Sequence, residues 1–137
     1  MADFVLDASV ALAWLFEDEI DTYAEEVERC LREGRFAAVP TLWHYEIVNA
    51  ILSAERRRRL TSEQADLACA ALGALPLEID PHPLNGAALL ALGRRAQLSA
   101  YDAAYLELSQ RLCVPLATRD RRLSTAAEAV AVPLFRP

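Results

Sequence analysis

The feature that most constrains the fold is a short apolar run near the N-terminus that ends in a carboxylate. Phe4, Val5 and Leu6 lead directly into Asp7, and apolar residues recur at helical spacing after Ser9. A continuous apolar run this short is typical of a strand buried on both faces. The pattern predicts a strand over residues 4–7 and a helix over 9–16. Because ligands bind at the carboxyl ends of parallel strands, Asp7 is a candidate site residue.

Short apolar runs alternate with helical segments along the rest of the chain. This alternation predicts an α/β fold, with a short parallel β-sheet flanked by helices on both faces. The chain has 137 residues and no segment that resembles a linker, so we expect one domain over residues 1–137. Thr41, Thr61 and Ser99 are the expected N-caps of three helices. Further strands are expected at 36–39, 77–79, 114–118 and 130–132, and further helices at 21–33, 42–58, 61–72, 85–97, 99–112 and 120–127.

The composition narrows the class of protein. The net charge is −6, which argues against a chain that coats nucleic acid with a uniformly basic surface. The three cysteines show no paired metal-ligand spacing, which predicts reduced and largely buried thiols. No secretory signal and no apolar run of membrane-spanning length is visible, so the expected location is the cytoplasm.

Three carboxylates stand where a strand or loop gives way to a helix. Asp7 follows the first predicted strand, Asp102 lies three residues after Ser99, and Asp120 precedes the last predicted helix. Acidic residues are favoured at such positions because they accept hydrogen bonds from free backbone amides. Helix capping therefore explains each of these carboxylates when it is considered alone.

Glu46 has no such explanation, because it lies inside a predicted helix. It borders an apolar stripe that includes Trp43 and Ile47, and Asn49 follows one turn later on the same side. Burying a carboxylate is unfavourable unless it is paired. The pattern leaves open whether Glu46 lies on a partly exposed helix edge or points into a site.

Taken together, the carboxylates predict a site for a hard divalent cation. Carboxylates held close together cannot all ionise without help, and a cation removes the repulsion. Oxygen ligands without a cysteine or histidine cluster suit Mg²⁺ or Mn²⁺. Ser9 and Thr118 each lie two residues from one of these carboxylates. Such a site would favour hydrolysis of a phosphodiester.

Four segments in this order and spacing resemble PIN-domain ribonucleases, and within them the VapC-type toxins of bacterial toxin–antitoxin pairs. The segments are residues 5–9, 40–50, 98–106 and 115–120. The resemblance covers the whole predicted domain.

This resemblance implies particular roles for the residues singled out above. It implies an endoribonuclease that depends on Mg²⁺ or Mn²⁺ and acts through a metal-activated water. It also implies a homodimer that a cognate antitoxin protein silences. The implied catalytic and metal-binding residues are Asp7, Glu46, Asp102 and Asp120. The residues implied to orient these carboxylates are Ser9, Asn49 and Thr118.

Positive charge for the RNA backbone has to come from the rim of such an acidic site. Arg119, Arg121 and Arg122 flank Asp120 and are the candidates for phosphate contact. The run of arginines at 56–59 is better explained as a solvated helix end, which the helix dipole favours.

Two other functions are compatible with parts of the pattern. A phosphotransfer domain also uses an aspartate at a strand end near Mg²⁺, but those families rely on a lysine and this chain has none. A non-catalytic binding module would keep the carboxylates only as helix caps. Glu46 argues against that second alternative, because an acid in mid-helix has no capping role.

Overall fold

The computed structural model describes all residues from Met1 to Pro137 and shows a parallel four-stranded sheet with seven helices. The predicted α/β class is therefore confirmed. The strands are β1 (Phe4–Leu6), β2 (Ala37–Val39), β3 (Leu77–Ile79) and β4 (Leu116–Ala117), in the spatial order β3-β2-β1-β4. The helices are α1 (Ala8–Ala13), α2 (Thr22–Arg32), α3 (Leu42–Arg56), α4 (Ser62–Gly73), α5 (Gly86–Ala96), α6 (Ala100–Leu112) and α7 (Arg121–Ala129).

Strand β1 lies inside the sheet and is buried on both faces. Its three residues have no exposed surface, as expected for a purely apolar run. Parallel strands need crossover connections, and these are almost always right-handed. The strand order therefore places α1 to α4 on one face and α5 and α6 on the other. The observed contacts among α1, α2, α3 and α4, and between α5 and α6, match this grouping.

The order of the strands reverses next to β1. The chain passes from β1 to β2 on one side, whereas β4 pairs with β1 on the other side. Leu6 is in register with Ala117, and the N–H of Asp7 donates to the carbonyl oxygen of Ala117 at 2.9 Å. A reversal of this kind opens a crevice beyond the carboxyl ends of the two strands. Asp7 and the residues that follow β4 lie at this edge.

The buried core includes the tryptophan of the apolar stripe on α3. Trp43 is 1% exposed and therefore belongs to the core. Phe4 and Phe135 stack with ring centroids 4.0 Å apart, which fixes the C-terminal segment against the first strand.

Two of the three predicted caps form as expected. Thr61 and Gln64 make a complete capping box at α4, and Ser99 accepts a hydrogen bond from the N–H of Asp102 at α6. The prediction for Thr41 is wrong. Its backbone is already helical (φ −53°, ψ −34°), and an N-cap needs extended dihedrals to turn its side chain toward the free amides.

The strand predicted over residues 130–132 is also wrong. Val130 ends α7, and Ala131 adopts a left-handed conformation with φ of +59°, which turns the chain. The one parallel bridge to the sheet is made after this segment, between Leu134 and Leu116. The apolar residues at 130–132 thus serve a turn and the core rather than a strand.

The cysteines are free, as predicted, but only Cys30 is buried. Cys69 and Cys113 are exposed, which corrects the expectation of largely buried thiols. None of the seven helices is both long and apolar enough to span a bilayer.

Candidate active site

Asp7 lies at the bottom of the crevice at the carboxyl end of β1. It is 5% exposed, and its side chain makes no capping hydrogen bond to α1. Instead its Oδ2 accepts two hydrogen bonds, from the hydroxyl of Ser9 at 2.6 Å and from that of Thr118 at 2.7 Å. The capping explanation therefore fails for Asp7, and Ser9 and Thr118 lie where they hold its carboxylate.

Two backbone amides determine the direction of these hydrogen bonds. The N–H of Arg119 donates to Ser9 Oγ at 3.0 Å, and the N–H of Asp120 donates to Thr118 Oγ1 at 3.0 Å. Because each hydroxyl oxygen already accepts from an amide, its proton is directed to Asp7. The turn after β4 thus orients a carboxylate that follows β1.

Glu46 projects from α3 and is held by a tyrosine that the sequence analysis did not single out. The hydroxyl of Tyr105 donates to Glu46 Oε1 at 2.5 Å. Tyr105 lies on α6 and has no exposed surface, whereas Glu46 is half-buried. The question left open by the sequence is answered: Glu46 is paired and lies near other carboxylates, rather than on a plain exposed helix edge.

The signal that could have identified Tyr105 is its spacing from Asp102. The two residues are three positions apart on α6, so they lie on neighbouring parts of the same helix face. An aromatic residue within an apolar run usually indicates only a core position, which is why its hydroxyl went unnoticed.

Asp102 lies in the first turn of α6 and is half-buried. Ser99 Oγ accepts a hydrogen bond from its backbone N–H at 3.2 Å. The carboxylate of Asp102 returns no hydrogen bond to the backbone of Ser99, so Ser99 caps the helix without a full capping box. The side chain of Asp102 is therefore not tied to a backbone amide.

Asp120 does cap a helix, and it does so with one oxygen. Its Oδ1 accepts from the N–H of Arg122 at 2.8 Å and from the N–H of Leu123 at 3.1 Å. Its Oδ2 makes no hydrogen bond. Capping and a role in the site are thus compatible in the same side chain.

Burial and neighbouring carboxylates raise the pKa values of Asp7, Glu46 and Asp102. Burial raises the pKa of Asp7, the hydroxyls of Ser9 and Thr118 oppose this rise, and the charges of Asp102 and Asp120 add to it. Burial also raises the pKa of Glu46, and the charges of Asp7 and Asp102 raise it further. The pKa of Asp102 is raised by burial and then by Asp120. Glu46, Asp102 and Asp120 thus all lie within electrostatic reach of Asp7, although they are distant from it in sequence.

The carboxylate oxygens suit a hard cation, although the side chains lie farther apart than the ligands of a bound metal ion. Asp7, Glu46 and Asp120 each use one carboxylate oxygen for hydrogen bonds within the protein and leave the other without one. Oxygen donors of this kind are those that Mg²⁺ and Mn²⁺ prefer. No three Asp, Glu, His or Cys side chains are gathered closely enough to hold a metal ion. Cation binding would therefore require these side chains to move closer together.

Two residues predicted to belong to the site make no hydrogen bond with its carboxylates. Asn49 is exposed on α3 and makes no hydrogen bond to the carboxylates, so it does not orient them. Arg119 donates to Asp21 Oδ2 at 2.9 Å and to the carbonyl oxygen of Glu19 at 2.8 Å. Its guanidinium group thus fastens the acidic loop before α2 and is not free for phosphate.

The other two predicted RNA contacts are placed more favourably. Arg121 and Arg122 are exposed in the first turn of α7 and form no ion pair with a carboxylate. The charge of Arg122 reaches Asp102 and lowers its pKa, against the larger opposing effects of burial and of Asp120. The run of arginines at the end of α3 is exposed, and Arg59 pairs with Asp18 and lies over the ring of Phe16.

The fold and this cluster of carboxylates define the class of protein. The sequence pattern of the PIN domain family matches residues 4–129. The chain belongs to the PIN-domain family.

Within this family the chain is similar to VapC ribonucleases over almost its whole length. It is 34% identical over 125 residues to the VapC ribonuclease Mb0985 of Mycobacterium bovis. The same identity is found with ribonuclease VapC9 of Mycobacterium tuberculosis, and the alignment covers 91% of each chain.

The fold is also found in a solved structure. The crystal structure of PAE2754 from Pyrobaculum aerophilum superimposes with a TM-score of 0.70 at 23% identity. The match covers 91% of this chain and 79% of that one. At this level of identity the likeness shows the shared architecture only.

Proposed function

We propose that this chain is an endoribonuclease of the VapC type, acting as the toxin of a toxin–antitoxin pair. Its similarity to VapC ribonucleases extends over 91% of its length. The observation that carries the proposal is that Glu46, Asp102 and Asp120 lie within electrostatic reach of Asp7, and that the pKa values of Asp7, Glu46 and Asp102 are raised.

The proposal includes a dependence on Mg²⁺ or Mn²⁺. The four carboxylates would hold the cation, and three of them keep an oxygen free of hydrogen bonds. A bound divalent cation supplies a water of lowered pKa and neutralises charge on the scissile phosphate. Without it the cluster would repel a phosphate, because all its ionisable side chains are acidic.

The remaining residues of the chain have supporting tasks. Ser9 and Thr118 direct one oxygen of Asp7 inward and leave its other oxygen for the site. Arg121 and Arg122 are exposed at the rim beside Asp120, where they would contact RNA phosphates. Since these contacts release counterions, RNA binding is expected to weaken steeply with added salt.

The two alternative functions have less support. If the carboxylates were only caps, Asp7 would bond to the amides of α1, and it does not. A phosphotransfer domain would place a lysine beside the phosphoryl group, and the chain contains no lysine.

The partners are part of the same proposal. Leu84 and Tyr101 are 77% and 67% exposed and line a cavity of about 540 Å³ that also includes Leu42, which lies one turn before Glu46 on α3. Exposed apolar residues of this kind indicate surfaces that a partner covers. The expected partners are a second copy of this chain, which would form a homodimer, and an antitoxin protein. Light scattering on the purified protein, with and without its antitoxin, would test for both complexes.

Cleavage of RNA by the purified chain tests the activity directly. The protein, freed of antitoxin, is incubated with RNA and Mg²⁺ or Mn²⁺, with and without chelator. We expect cleavage that requires the metal and is lost in Asp7→Asn and Asp102→Asn. Asp66→Asn is the matched control, because Asp66 is exposed on α4 away from the cluster. Cleavage that persists in both site variants would identify a contaminating nuclease, and phosphorylation of Asp7 would support phosphotransfer instead.

A further inference from the structure

We propose that Tyr105 is a positioning residue for Glu46: its buried hydroxyl holds one carboxylate oxygen and leaves the other for the divalent cation. This inference rests on the proposed metal-dependent function. It assigns to α6 two tasks in the site, because the same helix carries Asp102 three residues earlier.

The geometry sets this hydrogen bond apart from others in the molecule. It joins side chains 59 residues apart and is the one side-chain hydrogen bond between α3 and α6. The Tyr105 ring has no exposed surface, so surrounding core atoms fix the position of its hydroxyl. A hydroxyl that donates to a carboxylate also makes a stronger hydrogen bond than a neutral pair does.

Glu46 needs such a restraint for two physical reasons. A glutamate side chain has several rotatable bonds, and ordering it costs conformational entropy. In addition, the charges of Asp7 and Asp102 act on Glu46, and like charges favour rotamers that carry it away into solvent. A rigid donor on the far side opposes this movement and keeps the carboxylate beside its neighbours.

The arrangement mirrors the one around Asp7. There, two hydroxyls bind Oδ2, and in Glu46 one hydroxyl binds Oε1. In both carboxylates the second oxygen makes no hydrogen bond within the protein. Groups that orient metal ligands in this way commonly change metal affinity about 10- to 100-fold when they are removed.

The competing explanation is that Glu46 merely satisfies a buried hydroxyl. A buried donor without a partner is unfavourable, so any acceptor would serve the fold. In that case loss of the Tyr105 hydroxyl would change stability but not metal binding. The two explanations therefore differ in a measurable quantity that does not depend on RNA cleavage.

The test is the affinity of the protein for Mn²⁺, measured by calorimetry without RNA, in wild type and Tyr105→Phe. We expect Tyr105→Phe to bind Mn²⁺ about tenfold more weakly. Tyr23→Phe is the matched control, because the Tyr23 hydroxyl also makes a partly buried hydrogen bond, to the carbonyl oxygen of Phe135 at 3.0 Å. That variant should bind Mn²⁺ as the wild type does.

A double-mutant cycle separates positioning from packing. If Tyr105 acts through Glu46, Tyr105→Phe should have little further effect on Mn²⁺ affinity in the Glu46→Gln background. The rise in Tm that Mn²⁺ produces in each variant gives the same comparison for a destabilised protein.

Two results would overturn the inference, and they are distinguishable. Wild-type Mn²⁺ affinity in a folded Tyr105→Phe variant would refute the role of Tyr105 and leave the proposed function intact. Absence of Mn²⁺ binding and of metal-dependent cleavage in the wild type would refute the proposed function itself, and the role of Tyr105 with it.

Discussion

Thr118 Oγ1 lies 2.7 Å from Asp7 Oδ2 and donates a hydrogen bond to it, although 111 positions separate the two residues. The pairing of β1 with β4 brings them together, since Leu6 and Ala117 are in register. The same hydroxyl accepts the N–H of Asp120 at 3.0 Å. One threonine thus connects the carboxylate of Asp7 to the backbone of Asp120.

Replacing Thr118 tests this connection. Thr118→Val keeps the shape of the side chain but leaves Asp7 with one hydroxyl donor and the N–H of Asp120 without its acceptor. We expect a loss of stability of about 1–3 kcal/mol, measured by urea unfolding. RNA cleavage should fall at least tenfold, because Asp7 is less well oriented. Thr125→Val is the control, since Thr125 is exposed and bonds only to the carbonyl oxygen of Arg121. Unchanged cleavage in Thr118→Val would contradict the role of this hydroxyl.

Asp7→Asn should stabilise the metal-free protein at neutral pH. The pKa of Asp7 in the folded state is raised above its ordinary value of 3.8, chiefly by burial. The folded state therefore binds this proton more tightly than the unfolded state does, and stability falls as the pH rises from 3.8 through the raised pKa. An asparagine stays neutral over this pH range, so it does not incur the cost of burying a charge.

The measurement is Tm against pH for both proteins in the presence of chelator. The advantage of Asp7→Asn should be smallest in acid and should grow as the pH rises toward neutrality. Asp66→Asn is the control, because Asp66 is exposed on α4. A difference in Tm that stays constant across the pH range would count against a buried, destabilising charge at Asp7.

Asp120 allows capping and catalysis to be separated. Asp120→Asn should keep the helix cap, because asparagine accepts the same backbone hydrogen bonds, yet it should lose most cleavage activity. Asp120→Ala should lose the activity and about 1 kcal/mol of stability. The two variants are compared by thermal unfolding and by RNA cleavage. Full activity in Asp120→Asn would show that Asp120 is a cap and nothing more.

Arg119 and Arg122 should differ in their effects, although both flank Asp120. Arg119 is bound to Asp21 and to the carbonyl oxygen of Glu19, so Arg119→Ala should lower Tm. It should leave the salt dependence of RNA binding unchanged.

Arg122→Ala should do the reverse. The Arg122 side chain is exposed and forms no ion pair, so the Tm should stay unchanged while the affinity for RNA falls. The slope of log affinity against log salt should decrease by about 0.7 for one lost contact to single-stranded RNA. Fluorescence anisotropy in the Asp102→Asn background measures this without cleavage. Equal salt slopes in both variants would exclude Arg122 as a phosphate contact.

Local patterns explain most of the secondary structure. The capping box of Thr61 and Gln64 and the cap at Ser99 form as the sequence predicts, because each depends on residues within one helical turn. Where the local rule failed, a neighbouring segment had already fixed the backbone. Thr41 is one such position, since the carbonyl oxygen of the preceding Pro40 already accepts a hydrogen bond from the N–H of Trp43.

Side-chain partners across the fold were less predictable. Arg119 follows Thr118 and precedes Asp120, which suggested a phosphate contact, but the acidic loop before α2 folds back onto it. The partner of Tyr105 depends on how α3 and α6, from opposite faces of the sheet, approach each other, which no spacing within either helix reveals.

The sequence by itself determined the α/β class, most of the elements, and the candidacy of Asp7, Glu46, Asp102 and Asp120. Hydrophobic periodicity and helix capping depend on residues a few positions apart, so they can be recognised in the amino-acid sequence. Only the tertiary structure decided that Glu46, Asp102 and Asp120 lie within electrostatic reach of Asp7, that Ser9 and Thr118 hold Asp7, and that Tyr105 holds Glu46. Those contacts join distant segments, and their existence depends on the order and register of the strands.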